Sequence, residues 1–181
     1  MLSMNRRDFL TNSTIASFTA ASYARVPGAN DRLGMALVGC GRRGRDVMKA
    51  FLATNRIDLT CIADVYDVQR GRAKEFLAKE LLNAKPHETM ALEEALSRKD
   101  VDAVLLGSPD HLHLTQTLTT LKAGKHIYLE KPTSHNFDEG PTFIDAVKKS
   151  SKVVQTGTQQ RSGAHYQKDK EEFFDKGRLG K

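Results

Sequence analysis

Three short stretches of this 181-residue sequence carry residue types and spacings that could do chemistry. In VGCGRRG, Gly39, Gly41 and Gly44 complete a GxGxxG pattern. The first glycine permits a tight turn, the second lets a phosphate approach the backbone, and the third allows a following helix to pack closely. The free N–H groups and partial positive charge at that helix start suit a pyrophosphate. Asp64, twenty residues after Gly44, ends an apolar run and could accept hydrogen bonds from the hydroxyls of an adenine ribose. A 2′-phosphate would be repelled there, which favours NAD, although Arg42 and Arg43 could reach toward such a group and leave NADP open. In YLEKPTSHN, Glu130, Lys131 and Pro132 close another apolar run. Lys131 is then either a solvated strand end paired with Glu130 or a proton-transfer group aimed into a cleft.

The elements that must position these residues follow from periodicity. From residue 33 onward, short apolar runs alternate with amphipathic segments, the pattern of βα units around a parallel sheet. Strands are expected at 33–40, 58–64, 101–108, 125–130 and 152–157, with HETM as a short additional one. Helices are expected at 42–55, 67–82, 91–98, after Pro109 up to Gly124, over 137–150 and over 164–177. The run VDAVLLGS is apolar on both faces, as a central parallel strand should be. The glycine motif follows a strand and opens a helix, the context it requires.

Composition narrows the classes. Hydrophobic residues make up 39% and charged residues 28%, ordinary for a globular domain. No apolar run approaches the roughly 20 residues of a membrane-spanning helix. The net charge of +6 is dispersed, with no basic stripe interleaved with aromatics, so nucleic-acid binding has no support while an anionic ligand fits. His111 and His113 are two apart and face different ways on a helix, and no cluster has metal-ligand spacing, so no metal is expected. Cys40 and Cys61 read as small buried hydrophobes. The N-terminus resembles a twin-arginine export signal, with Arg6 and Arg7 ahead of a mildly apolar stretch and a small-residue site at Ser22-Tyr23-Ala24. The expected organisation is therefore a signal over 1–24, a linker over 25–31 and a domain over 32–181, exported to the periplasm or beyond.

GSPDHLHL, GKHIYLEKPTSH and QTGTQQR, together with VGCGRRG, closely resemble the glucose-fructose oxidoreductase / inositol dehydrogenase / MocA family of NAD(P)-dependent oxidoreductases, in order from about residue 32 to 181. The resemblance implies a Rossmann doubly wound parallel sheet of strand order 3-2-1-4-5-6, followed in the family by a second α/β domain that covers the active site and often mediates oligomerisation. It implies hydride transfer between nicotinamide and a hydroxyl of a sugar or cyclitol. Lys131 matches the family's catalytic lysine, with Glu130 and Pro132 as its neighbours in the cofactor site. Ser108, Pro109 and His113 match the loop and helix start that line the cofactor. Gln159 and Arg161 match positions near cofactor and substrate. A lysine so placed could take the hydroxyl proton and steady the developing alkoxide.

The family's further catalytic motif, an Asp or Asn followed four residues later by His, has no match in 1–181. The second domain is thus expected to be absent from this chain, and the fragment alone to be inactive. Two other readings stand beside the dehydrogenase: an NAD-using glycosidase of related fold, and a non-catalytic nucleotide-binding protein without its substrate domain.

Overall fold

The computed structural model describes residues 32–81, 85–158, 160–161 and 163–178. The twin-arginine motif and Gln159 lie outside the described residues. The most apolar runs become β1 (Leu33–Val38), β2 (Ile57–Ala63) and β4 (Ala103–Leu106), joined by β3 (His87–Thr89), β5 (His126–Glu130) and β6 (Val154–Gly157). All five pairings are parallel and the order is β3-β2-β1-β4-β5-β6. β4 is buried along its whole length, as a central strand covered on both faces must be.

Helices α1 (Arg42–Leu52), α2 (Asp67–Leu81), α3 (Leu92–Ser97), α4 (His113–Lys122), α5 (Glu139–Lys149) and α6 (Ala164–Asp169) intervene. α1 turns Val47, Met48 and Leu52 inward, and α2 turns Ala73 and Leu77, one helical turn apart, onto the same layer. Pro141 sits in the first turn of α5, where its missing N–H costs no helical bond. Gly124 and Gly177 have φ of +73° and +63°, the left-handed turn that ends α4 and the last helix. That last segment departs from expectation: after Asp169 it widens into a π-helical turn, Lys170–Phe174, which no sequence signal marks.

The core lies in two layers, one on each side of the sheet. Met35 and Leu37 join α1 and α2 in one layer, while Ala36 and Val38 join Leu96, Val104 and Leu106 in the other. β2 needs a correction to a simple alternation. Met35 pairs with Leu59 but Ala36 pairs with Cys61, so Thr60 is an extra residue, a β-bulge. Its effect is visible in the packing: Ile57, Leu59 and Ile62 enter the first layer, Cys61 and Ala63 the second. Among the described residues no helix is long and apolar enough to cross a membrane.

Candidate functional site

In a parallel sheet every strand's carboxyl end lies along one edge, and the chain leaves β1 and β4 in opposite directions, opening a crevice between them. The glycine loop fills the β1 side. Gly39 has φ +84°, and a Cβ there would come within 2.5 Å of the Ser108 N. A Cβ on Gly44 would lie 2.2 Å from the Gly39 carbonyl oxygen. Gly41 differs: a Cβ on it would meet nothing within 4 Å, so space is open where the motif brings a phosphate to the backbone. Gly107, not singled out in the sequence, completes the contact, since a Cβ on it would be 3.0 Å from the Gly44 Cα. A lone glycine closing β4 looks like any turn residue, and only this close approach to α1 reveals its part.

Asp64 locks the loop to β2. Its carboxylate accepts the Cys40 N–H at 2.7 Å and the Tyr66 N–H at 2.9 Å, leaving further lone pairs for hydroxyl donors. Two arginines that the sequence reading passed over hold the loop from behind. Arg45 donates to the Cys40 carbonyl at 2.7 Å and to Gln69 at 2.8 Å, and Arg70 donates to the Asp64 carbonyl at 2.5 Å. Asp64, Ser108 and Pro109 line a cleft of about 110 Å³ whose lip carries Val65, Met90 and Leu112, large apolar side chains left exposed. An acidic acceptor beside an apolar lip fits a ribose bearing a flat base.

The arginines of the motif part company. Arg42 is almost wholly exposed, 3.9 Å from Asp46. Arg43 turns toward β5 instead, with its Nη2 2.9 Å from Oε1 of Glu130, and this contact raises its pKa above the ordinary guanidinium value. Pairing with a buried carboxylate across the sheet holds Arg43 away from the Asp64 side, so it does not extend there toward a 2′-phosphate.

At the end of β5, Glu130 is only 3% exposed, whereas Lys131 is exposed. Glu130 therefore points into the protein rather than into the cleft. Its Oε2 accepts the Lys131 N–H at 3.2 Å, and the Lys131–Pro132 peptide is cis. His113, expected to line the cofactor, is buried at 1% exposure. Its Nδ1 lies 2.6 Å from the Pro132 carbonyl oxygen and its Nε2 2.9 Å from that of Ser108, so both ring nitrogens face loop carbonyls, and in the neutral ring whichever nitrogen carries the proton donates to its carbonyl. It clamps the β4 and β5 loops to each other. Ser108 donates a short hydrogen bond to Gln116 one turn further along α4. Arg161 stands apart from these residues, on a wider concavity of about 1000 Å³ shared with Tyr166 and Lys170. Among the described residues no group of three or more His, Cys, Asp or Glu could hold a metal ion.

The two cysteines are buried and unpaired. Burial, reinforced by the Asp64 charge, pushes the Cys40 thiol up to about 12, and burial pushes Cys61 up to about 11. In the unfolded chain both ionise from 9.0, so above that pH the unfolded state sheds protons first and stability falls as pH rises toward 11 and 12. Near neutral pH neither thiol of the folded protein is expected to be alkylated, while both react in denaturant. Denaturation midpoints above pH 9, with Cys40→Ala flattening the slope, check the first point; mass spectrometry after alkylation checks the second.

The chain is 30% identical over 145 residues to the myo-inositol 2-dehydrogenase of Thermotoga maritima, covering 80% of this chain and 41% of that protein. It is 27% identical over 119 residues to an alpha-N-acetylgalactosaminidase of Shewanella oneidensis, covering 64% and 26%. Among solved structures, the WlbA dehydrogenase of Bordetella pertussis in complex with NADH and UDP-GlcNAcA superposes with a TM-score of 0.71 at 25% identity, over 82% of this chain and 44% of that one. The chain thus spans less than half the length of each of these proteins. Residues 33–158 match the GFO_IDH_MocA family, described as an oxidoreductase family with an NAD-binding Rossmann fold, and the chain belongs to that family.

Proposed function

We propose that this chain is the dinucleotide-binding part of an NAD-dependent oxidoreductase that acts on a hydroxyl of a sugar or cyclitol. The observation that carries the reading is the convergence on one sheet edge of an open glycine loop, an acidic acceptor at the end of β2 and an exposed lysine at the end of β5. The residues fit NAD. Gly41 leaves room for the pyrophosphate, Asp64 keeps acceptor capacity for ribose hydroxyls, and the Val65, Met90 and Leu112 lip suits the adenine. Arg43, Arg45 and Arg70 are engaged with Glu130 or with loop carbonyls, so of these four arginines Arg42 alone is left to meet a 2′-phosphate, which supports NAD over NADP.

NAD, when bound, supplies the hydride acceptor. The protein's part is then to hold the substrate hydroxyl beside Lys131, whose amine takes the hydroxyl proton and steadies the alkoxide as the C–H bond weakens. The relatives named as inositol dehydrogenases support a polyol substrate. Similarity to the alpha-N-acetylgalactosaminidase favours a second reading, in which the same site oxidises a glycoside transiently. One assay separates the two. The complete protein, given NAD+ and a panel of cyclitols and aldoses, is expected to accumulate NADH, and NADP+ is expected to be the poorer oxidant. Release of phenol from aryl glycosides without net NADH would instead establish the second reading.

A further inference from the structure

Glu130 and Arg43 are far apart in sequence, and the buried carboxylate of Glu130 is costly where it stands unless the partly exposed Arg43 is beside it. The Glu130 carboxylate is buried, with its Oε1 facing the Arg43 guanidinium at 2.9 Å. The Arg43 Nε is buried without an acceptor and Glu130 Oε1 without a hydrogen-bond donor of good geometry, so the contact between the two side chains is an ion pair and not a hydrogen bond. Room for the carboxylate comes from β6: a Cβ on Gly157 would lie 2.9 Å from Oε1 and 2.8 Å from the Tyr128 hydroxyl. The two oxygens serve different parts of the site. Oε1 meets a side chain from the first turn of α1, two residues beyond Gly41, while Oε2 accepts the backbone N–H of Lys131. A single carboxylate therefore joins the glycine loop to the turn that carries the lysine.

We propose that Glu130 and Arg43 are positioning residues that register the Lys131 amine against the nucleotide seated on the glycine loop. The proposal rests on the reading of Lys131 as a group beside the nicotinamide. His113 holds the far side of the same turn through the Pro132 carbonyl, so loss of the pair releases the turn on one flank only. Misplacement of this kind, about 1 Å at a reacting group, is enough to disable it without emptying the site.

The test uses the chain itself and reads Lys131 directly. Lys131 acylation by a small amine reagent is followed by peptide mass spectrometry, with and without saturating NAD+, and NAD+ binding is measured by calorimetry. In the wild type, NAD+ is expected to slow Lys131 acylation several-fold. In Glu130→Gln and Arg43→Met, NAD+ still binds but that protection is expected to be lost. The double variant R43M/E130Q leaves no unpaired buried charge, so its melting temperature is expected to return toward wild type while protection stays lost. Protection that returns with stability in the double variant would show a merely structural pair and overturn the proposal, as would full protection in both single variants. If NAD+ binds the wild type without protecting Lys131, the proposed site itself is wrong, and the proposal falls with it.

Discussion

Gly44→Ala is expected to destabilise the domain by about 3 kcal/mol or more, the upper end of overpacking costs, and to take nucleotide binding with it. A Cβ at residue 44 would sit 2.2 Å from the Gly39 carbonyl oxygen and 3.2 Å from a Leu37 methyl, and the nearer atom is backbone that cannot rotate aside. Relief requires α1 to move off β1, which displaces the helix start from the place where its N–H groups would meet a phosphate. Gly41→Ala makes the matching experiment. Gly41 has φ −62° and ψ 175°, open to any residue, and empty space where the Cβ would go. Its stability is expected to stay within about 0.5 kcal/mol of wild type. Its NAD+ affinity is nevertheless expected to fall at least about tenfold, or about 1.4 kcal/mol, because the methyl takes the volume the pyrophosphate needs. Chemical denaturation and calorimetric titration of both variants separate a glycine required by the fold from one required by the ligand. If Gly41→Ala bound NAD+ as wild type does, the assignment of that space to phosphate would be lost.

Lys131→Met in the complete protein is expected to lower kcat by about 10²–10⁴-fold, the range for removal of a positioned proton-transfer group. The thioether side chain of methionine cannot accept the proton. The NAD+ dissociation constant is expected to change far less than kcat, by a few-fold at most, because Lys131 is exposed and supports neither the glycine loop nor the core even though it stands beside the nicotinamide. Lys131→Arg should be as slow, since guanidinium keeps the charge but does not give up its proton at any working pH. Steady-state kinetics beside nucleotide titration of both variants reads this. Wild-type turnover in the arginine variant would mean that charge alone suffices.

Much of the site was legible because it is encoded locally. The glycine spacing, the position of Asp64 at the end of an apolar run and the Glu130–Pro132 triplet each need only a few neighbouring residues to be recognised, and the strand order follows from the resemblance they carry. What the sequence hid is side-chain direction over long separations. Arg43 reads naturally as a residue near the ribose, yet a buried carboxylate on β5 draws it the other way. His113 reads through the resemblance as a residue that lines the cofactor, and what the sequence did not show is that it is buried with its ring nitrogens facing the Pro132 and Ser108 carbonyls. Gly107 and the arginines Arg45 and Arg70 behind the glycine loop matter only through contacts that no spacing rule records.

The bulge at Thr60 adds a constraint of a different kind. Successive side chains on a strand alternate between faces, so the direction of Asp64 depends on how many residues precede it in β2 as well as on their types. The bulge takes up the extra residue, so the parity that lets Asp64 meet the Cys40 amide is kept beyond it. Along β2, then, the reading is by count: an extra residue between Cys61 and Asp64 would turn the carboxylate out of the crevice even if every other residue were kept, whereas loss of Thr60 would only make the alternation regular.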